Sequence, residues 1–382
     1  MRALFPLLLV ATLPACEAAQ SQTVDRARTQ SLAFTQATSG SPVKRCINMG
    51  NTLEAPNEGD WGHTATRRDI DRMARLGFDT LRLPVAWSEH LDGRGRIDPA
   101  FLARVDEVVG WAERRDMNVI IDVHHFIELE EDADANIPTL LDIWRQLSGH
   151  YRNASERVIF EVVNEPNGDF TVDKVNVVNR DALRIIRDTN PGRWVILGSG
   201  HWGTVTPFLP DADPAFEPVS DPRTIATYHS YAPYEFTHQG VPFSDNPPPA
   251  GRRLSSRDRK EVELDLEDGA KFSARSGMPV LLGEFGTYRA IPPGQRVRWT
   301  QWMREGAEAR GIGWCMWDWA GEFRMYDAAQ DRILPGFTQA LGLPPRDMKR
   351  GTPRPAGPFV PQWPRQSEPR PLPSRSPTSP IE

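Results

Sequence analysis

Glu165 and Glu284 each end an apolar run that breaks off abruptly, in VIFEVVNEPNG (residues 158–168) and MPVLLGEFG (278–286). Two such carboxyls suit cleavage of a glycosidic bond. One must keep its proton to donate to the leaving oxygen, and the other must be ionised to attack the anomeric carbon. A neighbouring Arg82, in DTLRLPV, would hold Glu284 charged, and an apolar, partly desolvated site would keep Glu165 protonated. Carboxyls about 5–5.5 Å apart imply retention of configuration, and a gap of about 6.5–9.5 Å implies inversion. Other runs end in groups that can serve the pair: Asn51 and Glu54 after RCINMG, His124 and His125 in NVIIDVHH, and Asn164 beside Glu165. TIATYHSY supplies His229 and Tyr231, and GWCMWDW supplies Trp317.

These groups need elements that bring them to one rim. Eight short runs, the seven above with RWVILG, are β-branched or aromatic-rich and too short to be buried helices. Between them lie segments with apolar residues at helical spacing, such as RRDIDRMARLG (67–77, stopping at a glycine) and AFLARVDEVVGWAERRD (100–116). Eight strands alternating with helices over about 300 residues match an α/β fold of the (β/α)8 TIM-barrel type, whose reactive groups sit at the C-terminal ends of the strands. A doubly wound open sheet is the competitor, but no glycine-rich phosphate turn follows the first strand.

Plainer readings stand beside these. His124 and His125 after Asp122 have the types of metal ligands, yet RCINMG carries no H-x-H pair, and neither a catalytic metal nor a cofactor is expected. Asp122 precedes His124 by two and points the same way, as a support for it. The twelve Trp fill a core or offer flat apolar platforms: Trp61 and Trp317 are expected at the cleft, Trp314 in the core, and Trp87 and Trp202 in either. Once a leader is set aside, Cys46 and Cys315 remain. One bridge is conceivable, but a link between parallel strands would be strained, so free thiols are expected.

The chain has 382 residues and a net charge of −6, with no basic stripe to suggest nucleic acid. Residues 1–19 combine Arg2 with an apolar run too short to span a bilayer, as in an export signal. LPAC (13–16) resembles a bacterial lipoprotein box, with cleavage near Ala18 or Ala19 as the alternative. Residues 20–43 read as a polar linker, 44–345 as a single catalytic domain, and 346–382 as a Pro/Arg-rich disordered tail. The expected product is exported: secreted, periplasmic or lipid-anchored, touching a membrane only through an N-terminal lipid, and monomeric.

VVNEPNG, LLGEFG, NTLEAPNEGDWG, DVHHFIEL and YHSYAPYEFTHQG, in this order, resemble glycoside hydrolase family five, the cellulase family of retaining barrels, and within it the bacterial endoglucanases. The resemblance implies Glu165 as acid/base, Glu284 as nucleophile and Asn164 on the sugar 2-hydroxyl. It further implies that Arg82 and Tyr231 orient Glu284, that His124 and His229 bind ring hydroxyls and position the carboxyls, and that Trp317 is the stacking floor. Asn51, Glu54, His125 and His238 are implied as further sugar contacts. The implied activity is an endo-β-1,4-glucanase acting on β-linked polysaccharide; a β-1,4-mannanase, an enzyme cutting both, and a catalytically silent carbohydrate-binding barrel are the alternatives. The loop VPFSDNPPPAGRRLSS (241–256) departs from the family in carrying no Trp platform.

Overall fold

The computed structural model describes residues 40–343, within the first of two units, residues 1–347. The expected leader, nearly all of the expected linker and the expected tail lie outside the described residues.

Eight parallel strands close into a barrel: β1 (Arg45–Asn48), β2 (Thr80–Leu83), β3 (Asn118–Asp122), β4 (Val158–Glu161), β5 (Val195–Gly198), β6 (Thr224–His229), β7 (Val280–Phe285) and β8 (Gly313–Met316). Each pairs with the next, and β8 pairs with β1. Six longer helices fill the connections: α1 (Arg67–Leu76), α2 (Pro99–Glu113), α3 (Ala133–His150), α4 (Val172–Thr189), α5 (Ser256–Ser276) and α6 (Pro293–Ala309). All eight expected strands and the two quoted helices are present.

Local chemistry sets the boundaries. Thr66 and Asp69 cap α1 reciprocally, and Gly77, at φ 101°, ends it in the left-handed conformation that a side chain disfavours. Asp98 caps α2, and Pro99 occupies its first turn, where no backbone donor is missed. The alternation lapses once. Between β5 and β6 stands a single 3-10 turn, Thr206–Phe208, in a stretch carrying Pro207, Pro210, Pro214, Pro218 and Pro222, which no helix accommodates. Phe208 fills the gap by stacking on Phe272 of α5 at 4.1 Å.

Cys46, Ile120, Ile159, Ile196, Ile225, Leu281 and Cys315 form a buried cluster with one side chain from each of seven strands. Cys46 and Cys315 are register partners across the β1–β8 seam and form a disulfide, with Cα atoms 4.1 Å apart. The expectation of free thiols is thereby corrected. Direct pairing in register, with both side chains turned into the same cluster, brings the two sulfurs together.

Candidate active site

Side chains two residues apart on a strand share a face. Two positions beyond the apolar cluster, the same face turns polar: Asn48 follows Cys46, Asp122 follows Ile120, Glu161 follows Ile159 and Thr227 follows Ile225, all buried. Arg82 of β2 lies at the centre of this layer and is fully buried. Its Nε and Nη2 donate to Glu161 at 2.7 and 2.9 Å, Nη1 donates to Glu284 at 2.8 Å and to Asn48 at 2.9 Å, and Nη2 donates to Asn164 at 2.8 Å. Nη2 also stands 2.9 Å from Asp122. A buried charge requires such partners.

Above this layer the strand ends open into a cleft of about 1180 Å³. Asn51, Trp61, His124, His125, Glu165, His229, Tyr231, His238, Glu284 and Trp317 line it. Asn164 is half-buried, tethered to Arg82. Glu54, expected to contact sugar, instead lies buried and outside the lining. It accepts the backbone N–H groups of Asn51 and Thr52, the latter at 2.8 Å, and burial pushes its carboxyl up to about 8. Its work is local: it holds the turn in which Asn51 takes φ 64°.

Glu284 is aimed by an irregularity in β7. Tyr228 pairs with Leu282 but His229 pairs with Glu284, so Gly283 is an extra residue, and a bulge re-aims the side chain beyond it. A Cβ at Gly283 would come within 2.8 Å of Nε2 of His229, so glycine also leaves room for that ring. Besides Arg82, Glu284 accepts from the Tyr231 hydroxyl at 2.7 Å. Burial pushes its carboxyl up, with His229, Arg82 and Tyr231 opposing.

Glu165 sits at φ 40° with a third of its side chain exposed to the cleft. Oε1 lies 2.7 Å from Nδ1 of His229, which burial keeps towards its neutral form. Burial pushes Glu165 up to about 7, against the pull of Arg82 and with the help of Glu161. Glu165, His229 and Glu284 each bring one donor atom within 4.8 Å of the others, the one grouping with metal-ligand spacing among the described residues. Those atoms are the same ones that the carboxyl chemistry would use.

Around the pair, the rings of Trp317 and His124 are parallel with centroids 5.8 Å apart, and Nδ1 of His124 is 2.7 Å from Asp122, the support expected from the sequence. Trp61 meets His125 edge-on at 5.6 Å. Trp202 and Phe243 are 56% and 60% exposed and line the cleft, so the loop without a Trp still presents an aromatic face. Trp87 and Trp314 are core residues; the Trp87 indole donates to the Asp122 carbonyl at 2.9 Å. Glu161 and Asn48 were not singled out in the sequence. The signal was there: a charged or amide side chain inside an apolar strand needs a buried partner.

A family model described as Cellulase (glycosyl hydrolase family 5) matches residues 39–322. Endoglucanase H of Acetivibrio thermocellus is 35% identical over 273 residues, covering 71% of this chain and 29% of that protein. Endoglucanase A of Clostridium longisporum is 30% identical, covering 71% and 57%. The chain thus spans less than two thirds of either relative. The structure of Thermotoga maritima Cel5A in complex with cellobiose superposes with a TM-score of 0.76 at 31% identity, covering 80% of this chain and 99% of the other. The same enzyme with mannotriose gives 0.74 at 30%, covering 81% and 99%. With the matched stretch running across the barrel and both glutamates, the chain belongs to the cellulase family, glycosyl hydrolase family 5.

Proposed function

We propose that the chain is a retaining, endo-acting β-1,4-glucanase that hydrolyses β-glucan by double displacement. The observation that carries this reading is the unequal pair of carboxyls, with one oxygen of each within 4.8 Å of the other, on the short side that favours retention over inversion. Glu284, held by Arg82 and Tyr231, attacks the anomeric carbon. Glu165 gives its proton to the departing oxygen, then takes one from the water that releases the sugar. Arg82 fixes the Asn164 carbonyl oxygen, which leaves the amide NH2 to meet the 2-hydroxyl. Sugar rings stack on Trp317, and Trp61, Trp202 and Phe243 extend the apolar surface along a cleft roomy enough for chain on both sides of the bond. Relatives named endoglucanase, and a neighbour solved with cellobiose, support the same reading.

A second reading, action on β-1,4-mannan as well, draws on the mannotriose complex of that neighbour. Mannose differs at the 2-hydroxyl, so the groups beside Asn164 and His125 set the preference. Export of a monomeric chain, soluble or lipid-tethered, is also part of the proposal. A disulfide, which persists in oxidising compartments, supports export, and cell fractionation tests it.

The deciding experiment follows reducing ends and viscosity on barley β-glucan, with galactomannan in parallel, for wild type and Glu284→Gln. A rapid fall in viscosity with few new ends, abolished in the variant, is expected. Activity on mannan alone overturns the glucanase reading, and activity on neither leaves a binding-only barrel.

A further inference from the structure

Arg82 has five N–H donors in a rigid fork. Glu161 takes the bidentate edge, the geometry that fixes a guanidinium's rotation as well as its place. With Nε and one face of Nη2 so occupied, Nη1 is the arm left to reach Glu284 and Asn48. Glu161 is fully buried and does not line the cleft, so it does not touch a substrate. It nevertheless lies on the strand that leads to Glu165, and the two charges act on Glu165 in opposite senses: Arg82 draws its proton off and Glu161 holds it on.

We propose that Glu161 is a positioning residue that sets the two carboxyls to different tasks: by its two-bond pair it locks Arg82 onto Glu284 and offsets the guanidinium charge beneath Glu165. The proposal rests on the hydrolase reading above. The charged and titratable groups that face Glu161 are Arg82 from β2, Asp122 from β3 and His229 from the end of β6, whose protonated form it also favours, while β5 presents only Ile196 in register. Glu165 faces His229 and Tyr231 from the end of β6, Glu284 from β7, Arg82 from below, and Glu130 from the short helix after β3. Among these, Glu161 is the negative charge tied directly to Arg82 by two bonds. Its removal therefore leaves Arg82 less compensated, and Glu165 gives up its proton more readily.

The test is the pH dependence of kcat/KM on barley β-glucan, whose alkaline limb reports the loss of the Glu165 proton from the free enzyme. In Glu161→Gln, which keeps the shape, the alkaline limb is expected to move down by about one pH unit, while Glu161→Asp, which keeps the charge, leaves it in place. An unmoved limb in a folded Gln variant overturns the proposal, because a merely structural role lowers kcat without moving the limb. Should the Gln variant fail to fold, Glu161→Asn, which also removes the charge, decides: a limb moved down supports the role, and an unmoved limb overturns it. In Glu161→Asp, a limb that drops with the charge still present also overturns it. An inactive wild type overturns the hydrolase reading and this proposal with it, whereas an active wild type with unmoved limbs overturns this proposal alone.

Discussion

At the residue scale, the site is a set of partners that the chain separates widely. Glu284 is held by Arg82, 202 residues earlier, and by Tyr231, 53 residues earlier. The Tyr231 hydroxyl donates to a carboxylate, a bond that contributes about 1.5–3 kcal/mol. Tyr231→Phe is therefore expected to lower kcat/KM about 10- to 100-fold. It also removes a donor that favours the ionised form of Glu284, so the acid limb of the pH profile should rise. A profile whose acid limb stays in place would sink this role for Tyr231. Glu165, Glu284 and their neighbours were legible in the sequence because each breaks an apolar run at its end. Glu161 and Asn48 were not, because they interrupt their strands from within, and a lone polar residue in an apolar run reads as noise until its partner is known. Glu54 misled for the opposite reason. It sits in a polar loop beside true cleft residues, and only its backbone partners reveal that it turns inward.

At the scale of the elements, the period of two along parallel strands builds the barrel in layers. An apolar floor lies lowest, the Arg82 layer above it, and the reacting rim above that. The strands were readable because both faces are buried and each run is apolar throughout. The missing helix between β5 and β6 was written in its prolines. The seam was not readable: which residue of β1 faces which of β8 depends on the register of a closed barrel, which no local pattern encodes. The consequence is the Cys46–Cys315 link, which spans 269 residues of chain and so constrains the unfolded state strongly. Replacing both cysteines by alanine is expected to cost about 2–4 kcal/mol, read as a lower urea midpoint, while activity at room temperature persists. Thiol titration of the denatured, unreduced protein should detect neither sulfur. Reactivity of both would return the chain to the free-thiol expectation.

At the scale of the whole molecule, burying a polar layer inside a barrel makes stability depend on pH in a definite direction. Burial pushes Glu54 up to about 8, Asp318 and Glu165 up to about 7, and Asp122 up to about 6. Such groups bind more protons folded than unfolded between their ordinary and raised values, so stability falls as pH rises through that window. Burial also pulls His125 down to about 3 and His238 to about 4, and lowers His124 and His229. These rings bind fewer protons folded, so stability rises with pH, but only up to their ordinary value near 6.5. Between about 4 and 6.5 the two sets oppose each other. Above 6.5 the histidine contribution is exhausted while Glu54, Asp318 and Glu165 still lose protons, each excess proton counting about 1.4 kcal/mol per pH unit. Urea midpoints should therefore decline from pH 6.5 to 8, and Glu54→Gln, which has no proton to lose, should flatten the upper part of that decline. A midpoint that stays level across this window would mean that Glu54 and Asp318 are ionised inside the folded barrel, and the Asn51 turn would then be held by charge instead of by a neutral acid.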